Sequence, residues 1–245
     1  MPELPFEARS IVIVTTKHKL VNMLFSYKDK IIRDFHCLGS KPLCRDIEDL
    51  FSRNGYHTEN IYWLPQKRLA VCAGLCEYGR NNITYTDEWG SWFEIITYLT
   101  DMPCADAHVW RGVKCMDACR ACVNCMEACP TKAIKNDTYL IDNALCTTLY
   151  IESDKPFPDF IPKEAIQSVI GCVYCQDACP KNVGKFVTTG TVSFSGAETA
   201  LLLDGADKSN MPDSLKEKID LLALDWRLPS LPKSLQVRIE NTVTV

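Results

Sequence analysis

Seven cysteines fall into two runs whose spacing few folds can satisfy. The first is Cys119-Arg-Ala-Cys122-Val-Asn-Cys125-Met-Glu-Ala-Cys129-Pro130, a C-x2-C-x2-C-x3-C-P pattern. The second is Cys172-Val-Tyr-Cys175-Gln-Asp-Ala-Cys179-Pro180, the last three quarters of the same pattern. Val169 stands where its first cysteine would be. Two residues between cysteines let a looping backbone turn several thiolates onto one centre. The fourth cysteine lies beyond a short turn and faces away, and the proline after it cannot continue the loop's hydrogen bonding.

The first run is that of the bacterial ferredoxins, which hold [4Fe–4S] clusters; in two-cluster ferredoxins the fourth cysteine ligates the other cluster. Cluster 1 is therefore expected on Cys119, Cys122, Cys125 and Cys179. Cluster 2 is expected on Cys129, Cys172 and Cys175 and needs one more thiolate. Cys115 and Cys146 are the candidates. Residues 142–150, DNALCTTLY, read as a short helix able to carry Cys146 to cluster 2, whereas Cys115 precedes the first run and falls on the cluster 1 side. Zinc is the competing reading, but zinc sites use paired C-x2-C knuckles, and a triple run followed by x3-C-P suits tetrahedral zinc poorly.

The chain has 14 cysteines in 245 residues. Its opening, MPELPFEARS, has no basic stretch leading into an apolar core and does not read as a signal peptide. No apolar run approaches the ~20 residues that span a bilayer. A cytoplasmic, reducing location is expected, where so many cysteines argue for metal or redox chemistry over disulfides. With 47% apolar and 24% charged residues, a wholly disordered chain is excluded. A net charge of −4 without a basic run argues against nucleic acid as the main partner.

Around the runs, β-branched residues 11–16 read as a strand. Residues 17–36 mix lysines with apolar positions and suggest a helix; 45–53 and 66–77 are also expected to be helical, and 60–64 extended. Strands are expected at 83–86 and 92–99, and tail helices near 196–203, 213–224 and 233–240. The fold class is α+β. Its parts in sequence order are a small α/β domain over 1–108, a double-cluster ferredoxin-like domain over 109–188, and a short helical C-terminal tail over 189–245.

Several segments taken in order resemble the epoxyqueuosine reductase and reductive dehalogenase superfamily of corrinoid iron–sulfur proteins. They are residues 73–82 (AGLCEYGRNN), Tyr85 to Pro103 with its LTDMP close, 129–134 (CPTKAI), 146–152 (CTTLYIE) and 171–182 (GCVYCQDACPKN). The G-R-N-N-I-x-Y wording is also similar to that of short double-cluster proteins within this group. The resemblance covers residues 70–182 well and 5–60 loosely. It implies a ferredoxin-like double-cluster domain, Cys146 as the eighth ligand and a corrinoid cofactor, with flavin the lesser alternative. The family's acidic proton donor lies about fourteen residues before its A-G-L segment; here Asn60 stands there, with Glu59 beside it on the opposite strand face. Tyr62 is the nearest side chain able to donate a proton, as a tyrosine does in the dehalogenases. Arg80, Asn81 and Asn82 offer donors and acceptors for a phosphate or a cofactor's amide fringe, or form a helix cap and turn. Cys37, Cys44, Cys72 and Cys76 read chiefly as buried thiols, with Cys72 and Cys76 a possible redox pair; Cys104 and Cys115 read as core or cluster-shell residues.

The expected function is an iron–sulfur oxidoreductase that passes electrons through two [4Fe–4S] clusters to an acceptor at the N-terminal domain, by resemblance a corrinoid-dependent reductase. A ferredoxin- or flavodoxin-type redox partner would supply it, and a small molecule would accept. The alternative is an electron carrier or redox subunit with no substrate of its own.

Overall fold

The computed structural model describes residues 4–104, 108–136 and 139–242, so the first three residues of the MPELPFEARS opening lie outside it. In chain order its regular elements are β1 (Ser10–Lys17), β2 (Lys19–Tyr27), β3 (Lys30–Leu38), α1 (Lys41–Arg53), β4 (Thr58–Asn60), α2 (Gln66–Cys72), β5 (Glu77–Tyr78), β6 (Thr84–Tyr85), β7 (Phe93–Thr100), α3 (Asn124–Ala128), α4 (Thr147–Ile151), α5 (Tyr174–Asp177), β8 (Thr188–Phe194), α6 (Gly196–Leu203), α7 (Asp213–Leu221) and α8 (Leu231–Asn241). The mixed α and β content agrees with the fold class read from the sequence. No helix among the described residues is long and apolar enough to cross a membrane.

The chain forms two compact units. Unit 1 is Met1–His18 with Ser40–Ala121, and unit 2 is Lys19–Gly39 with Cys122–Val245. The division at 108 and 188 follows motifs along the sequence, whereas compactness groups the chain by packing and carries residues 19–39 into unit 2.

Unit 1 is built on an antiparallel sheet ordered β1-β7-β4, with Ser10 opposite Thr100 on one side of β7 and Thr58 opposite Thr100 on the other. Ile96 and Tyr98 of β7 are buried, as are Ala70 and Val71 of α2. α2 ends at Cys72, earlier than the sequence suggested, because Gly74 turns the chain at φ +82°. The Arg111 guanidinium lies against position 74 and could swing aside, so it is the positive φ that favours glycine there. The extended segment expected at 60–64 is shorter and earlier. β4 stops at Asn60, and Tyr62 and Trp63 form a turn leading to Pro65 at the start of α2.

Unit 2 holds the largest correction. Residues 17–36 are not a helix: Lys19–Tyr27 and Lys30–Leu38 form a hairpin, and β8 joins it parallel to β2. Val21, Met23 and Phe25 alternate at period two and are all buried, which fixes one strand face to the core. The lysines flank the strands instead of marking a helical face, and Lys28 takes the positive φ of the two-residue turn. Against this face pack α6, α7 and α8 through Leu202, Leu215, Ile219 and Leu235. Phe25 and Phe194 stack with centroids 4.5 Å apart. The tail helices appear where expected, α6 opening with a capping box of Ser195 and Glu198.

Candidate iron–sulfur site

The two cysteine runs fold alike. In each, a valine precedes a short helix with matching backbone, Val123 at φ −119°, ψ 1° and Val173 at φ −117°, ψ 0°. Both valine carbonyls accept from the next turn, Val123 from Met126 at 2.9 Å and Val173 from Gln176 at 2.8 Å. Cys129 and Cys179 then leave in extended conformation into Pro130 and Pro180. The x3 spacing is thus one helical turn followed by an extended residue that leads into the proline.

In unit 2, Cys125 and Cys129 are buried with Ala133 and Ile134, and Cys146 and Cys175 pack against this group. Cys146 is held at the start of α4, whose preceding turn is fixed by the Asp142 side chain accepting from Ala144 N–H at 3.1 Å. Cys172 lies against the apolar group of Ile151, Ile161, Ala165 and Ile166. Burial pushes the Cys172 thiol up to about 11, and Cys146 and Cys129 add to the rise by their proximity. Cys172 thus lies within electrostatic reach of thiols from two other segments, Cys129 and Cys146. Backbone N–H groups point at them: Ala133 donates to Cys129 Sγ at 3.3 Å, and Tyr174 donates to Cys172.

This donor set fits an iron–sulfur cluster. Sulfur-only ligands, apolar surroundings and N–H···S contacts are the features that hold and tune one. Among the described residues, no three His, Cys, Asp or Glu side chains close on a single-ion site. Tetrahedral zinc would need thiolate sulfurs about 3.8 Å apart at Zn–S of about 2.3 Å, while a cubane spreads its ligands wider.

In unit 1 the second eighth-ligand candidate, Cys115, has different surroundings. It bridges to Tyr78 of β5 and lies near Cys119 and Arg80. Arg80 is buried at 8% exposure, and its Nη2 donates to the carbonyl oxygens of Cys119 and, at 3.4 Å, Arg120. Asn81 Nδ2 donates to Tyr85 Oη at 2.8 Å, while Asn82, at φ +61°, receives Lys67 Nζ on its carbonyl and its Oδ1. The G-R-N-N segment thus makes contacts that build a turn and reach the first cysteine run. That link was not legible from the sequence, since Arg80 and Cys119 are far apart along it.

The remaining candidates are dispersed. Tyr62 is 82% exposed. Asn60, where the family has an acid, points its amide at Cys44 Sγ, 4.0 Å away. Because α2 stops at Cys72, Cys72 and Cys76 do not share a helical face; Cys76 is buried, and its thiol is pushed up to about 11 by desolvation. A cavity of about 540 Å³ in unit 1 is lined in part by Cys76, Glu77, Tyr85, Arg111 and Lys114. That volume suits a small ligand and is less than a whole corrinoid requires.

A family profile described as a 4Fe-4S double cluster binding domain matches residues 118–182. An epoxyqueuosine reductase of Cyclobacterium marinum is 35% identical over 159 residues, covering 64% of this chain and 47% of the relative. One from Synechocystis is 27% identical over 210 residues, covering 80% and 64%. The chain carries a double [4Fe–4S] domain and is similar in sequence to epoxyqueuosine reductases. It spans about half to two thirds of the length of those two proteins. Its fold is that of solved epoxyqueuosine reductases. The Bacillus subtilis epoxyqueuosine reductase structure aligns with a TM-score of 0.67 at 20% identity, over 96% of this chain and 65% of that one. An epoxyqueuosine reductase crystallised with a tRNA-Tyr epoxyqueuosine-modified stem loop aligns with a TM-score of 0.66 at 19% identity, over 95% and 64%.

Proposed function

We propose that this protein is an iron–sulfur oxidoreductase of the epoxyqueuosine reductase type, acting on a modified nucleoside in tRNA. The reading rests on the double-cluster profile over residues 118–182, within which Cys129, Cys146 and Cys175 share one apolar group. Bound [4Fe–4S] clusters supply one-electron transfer at low potential. Cys119, Cys122, Cys125 and Cys179 are assigned to one cluster by spacing. Cys129, Cys146, Cys172 and Cys175 are assigned to the other. Around them the chain excludes water with Ile134, Ile151 and Ile166 and orients N–H donors at sulfur.

A tRNA substrate reverses the expectation drawn from net charge. A modified nucleoside presented by a stem loop is gripped at one place, so the charge summed over a whole chain is a poor guide to it. A corrinoid remains the acceptor that the resemblance implies. A redox partner of the ferredoxin or flavodoxin type would deliver the electrons.

Asn60 favours a second reading, an electron-transfer subunit without its own substrate. An amide cannot supply the proton that the family's acid supplies, and Tyr62 lies in an open turn. Anaerobic reconstitution separates the two. The enzyme reading expects about eight irons per chain, a spectral change on adding cobalamin, and reduction of an epoxyqueuosine-bearing tRNA stem loop by a low-potential donor. Full iron with neither cobalamin binding nor turnover leaves the subunit reading; iron far below that count defeats both.

A further inference from the structure

We infer that Arg80 is a positioning residue that raises the reduction potential of the cluster held by Cys119, so that this cluster takes electrons more readily than it otherwise would. The inference rests on the assignment of Cys119 as a ligand and goes beyond it.

Arg80 follows β5 in the turn before β6, yet its side chain leaves that turn and is buried against the first cysteine run. Its guanidinium donates to the Cys119 carbonyl and reaches that of Arg120. One nitrogen of the guanidinium, Nη2, makes both contacts, and the planar, always-charged group lies along the ligand loop with its charge delocalised beside two successive carbonyls. β5 braces the same stretch: Tyr78 N–H donates to the Lys114 carbonyl at 2.9 Å, and Met116 N–H donates to the Tyr78 carbonyl at 2.8 Å. The ligand loop is thus fastened on both sides of Cys115 to the strand that carries Arg80.

The other charges on this loop are of a different kind. Arg120 and Asp117 pair 2.9 Å apart with both side chains exposed, and Lys114 pairs with Glu77 near the surface. Exposed pairs cancel and are screened by solvent. Arg80 places a permanent positive charge behind the backbone of a cluster ligand, away from bulk water. A reduced cluster carries one more negative charge than an oxidised one, so a nearby fixed cation favours the reduced form. A unit charge about 10 Å away, acting through an effective dielectric of about 20, shifts that equilibrium on the order of tenfold.

The test is an EPR-monitored redox titration of the anaerobically reconstituted protein and of R80Q and R80K. Gln keeps a donor and loses the charge; Lys keeps the charge and loses the planar group that lies along the loop. In R80Q one of the two titrating signals should move to lower potential by about tenfold in reduced fraction at fixed poise, which is 59 mV for one electron. The other signal should stay. In R80K both should remain near their wild-type values while chelator removes iron faster, because the loop is less firmly held. Two unmoved signals in an iron-replete R80Q overturn the inference, as does an R80K shift as large as that of R80Q. If R80Q does not load iron, R80M, which also removes the charge, is titrated in its place, and two unmoved signals there overturn the inference. Wild-type protein with far fewer than about eight irons defeats the ligand reading itself, which separates that failure from this one.

Discussion

The two cysteine runs have the same local fold and opposite supports. Cys122, Cys125 and Cys129 match Cys172, Cys175 and Cys179 in conformation as well as spacing, down to the dihedrals of the preceding valines. They part at the first position of the pattern. In the first run that position is Cys119, whose carbonyl receives the buried Arg80 guanidinium. In the second it is Val169, which is 2% exposed and packs in the core of unit 2 with Val21 and Met23. Its N–H donates to the Asp34 carboxylate, which Ser168 Oγ also approaches at 3.0 Å. A cation grips a carbonyl in one run and a carboxylate grips an N–H in the other. The second run has an apolar anchor where the first has a cysteine, and Cys146, at the start of α4, is the thiol proposed to make up the set.

The sharpest way to break this comparison is to remove the substitute ligand. Cys146→Ala should reduce the iron content of reconstituted protein from about eight to about four per chain, whereas Cys115→Ala should leave it near eight. Iron analysis with EPR reads both, and the reverse pattern would return the eighth ligand to Cys115. Next in size is the core on which the second run rests. Phe194→Ala removes one ring of the Phe25–Phe194 stack and should cost about 3–5 kcal/mol in denaturant unfolding. A loss below about 1 kcal/mol would mean that this face is not the anchor.

Asp34 gives the comparison a pH dependence. Burial raises its carboxyl to about 6 against the hydrogen bonds from Val169, Phe35 and Ser168 and the attraction of Arg238, all of which lower it. The unfolded reference is about 3.9. The native state therefore binds the proton more tightly than the unfolded chain does. Stability is highest below the unfolded value and falls as pH rises through about 6, by up to about 3 kcal/mol in all. Asp34→Asn should flatten that fall between about pH 4 and 6.5 in urea unfolding of the loaded protein. An unchanged slope would show that Asp34 is not the group that titrates.

How much of this was legible in the sequence depends on whether the signal is local. The cysteine spacing, the proline exits and the tail helix near 196–203 are short-range patterns, and that helix appears within the bounds expected. The hairpin of β2 and β3 was missed because the lysine content of residues 17–36 was weighed above the period-two burial of Val21, Met23 and Phe25. Arg80 was read either as a donor to a phosphate or cofactor fringe or as part of a helix cap and turn, because nothing in G-R-N-N names Cys119 as its partner; that contact exists only once β5 pairs with the stretch before the run. Asp34 was not singled out at all, and its importance comes entirely from the fold that brings it to Ser168 and Val169.

The smallest expected effect bears most directly on why Val169 is not cysteine. Val169→Cys restores the full ferredoxin pattern in the sequence. The side chain packs in the apolar core of unit 2, so a thiol at that position replaces a slightly larger apolar group and behaves as a small hydrophobe. Stability should fall by less than about 1.5 kcal/mol, and iron content should not change. The decisive form of the experiment is the double variant Val169→Cys with Cys146→Ala. If the anchoring of this segment by Asp34 and the core is firm, the new thiol cannot turn to the cluster, and the double variant keeps only about four irons per chain. Recovery to about eight would show that the backbone at 169 can revert to the conformation of Cys119, and that the second run differs from the first by one side chain and not by how it is held.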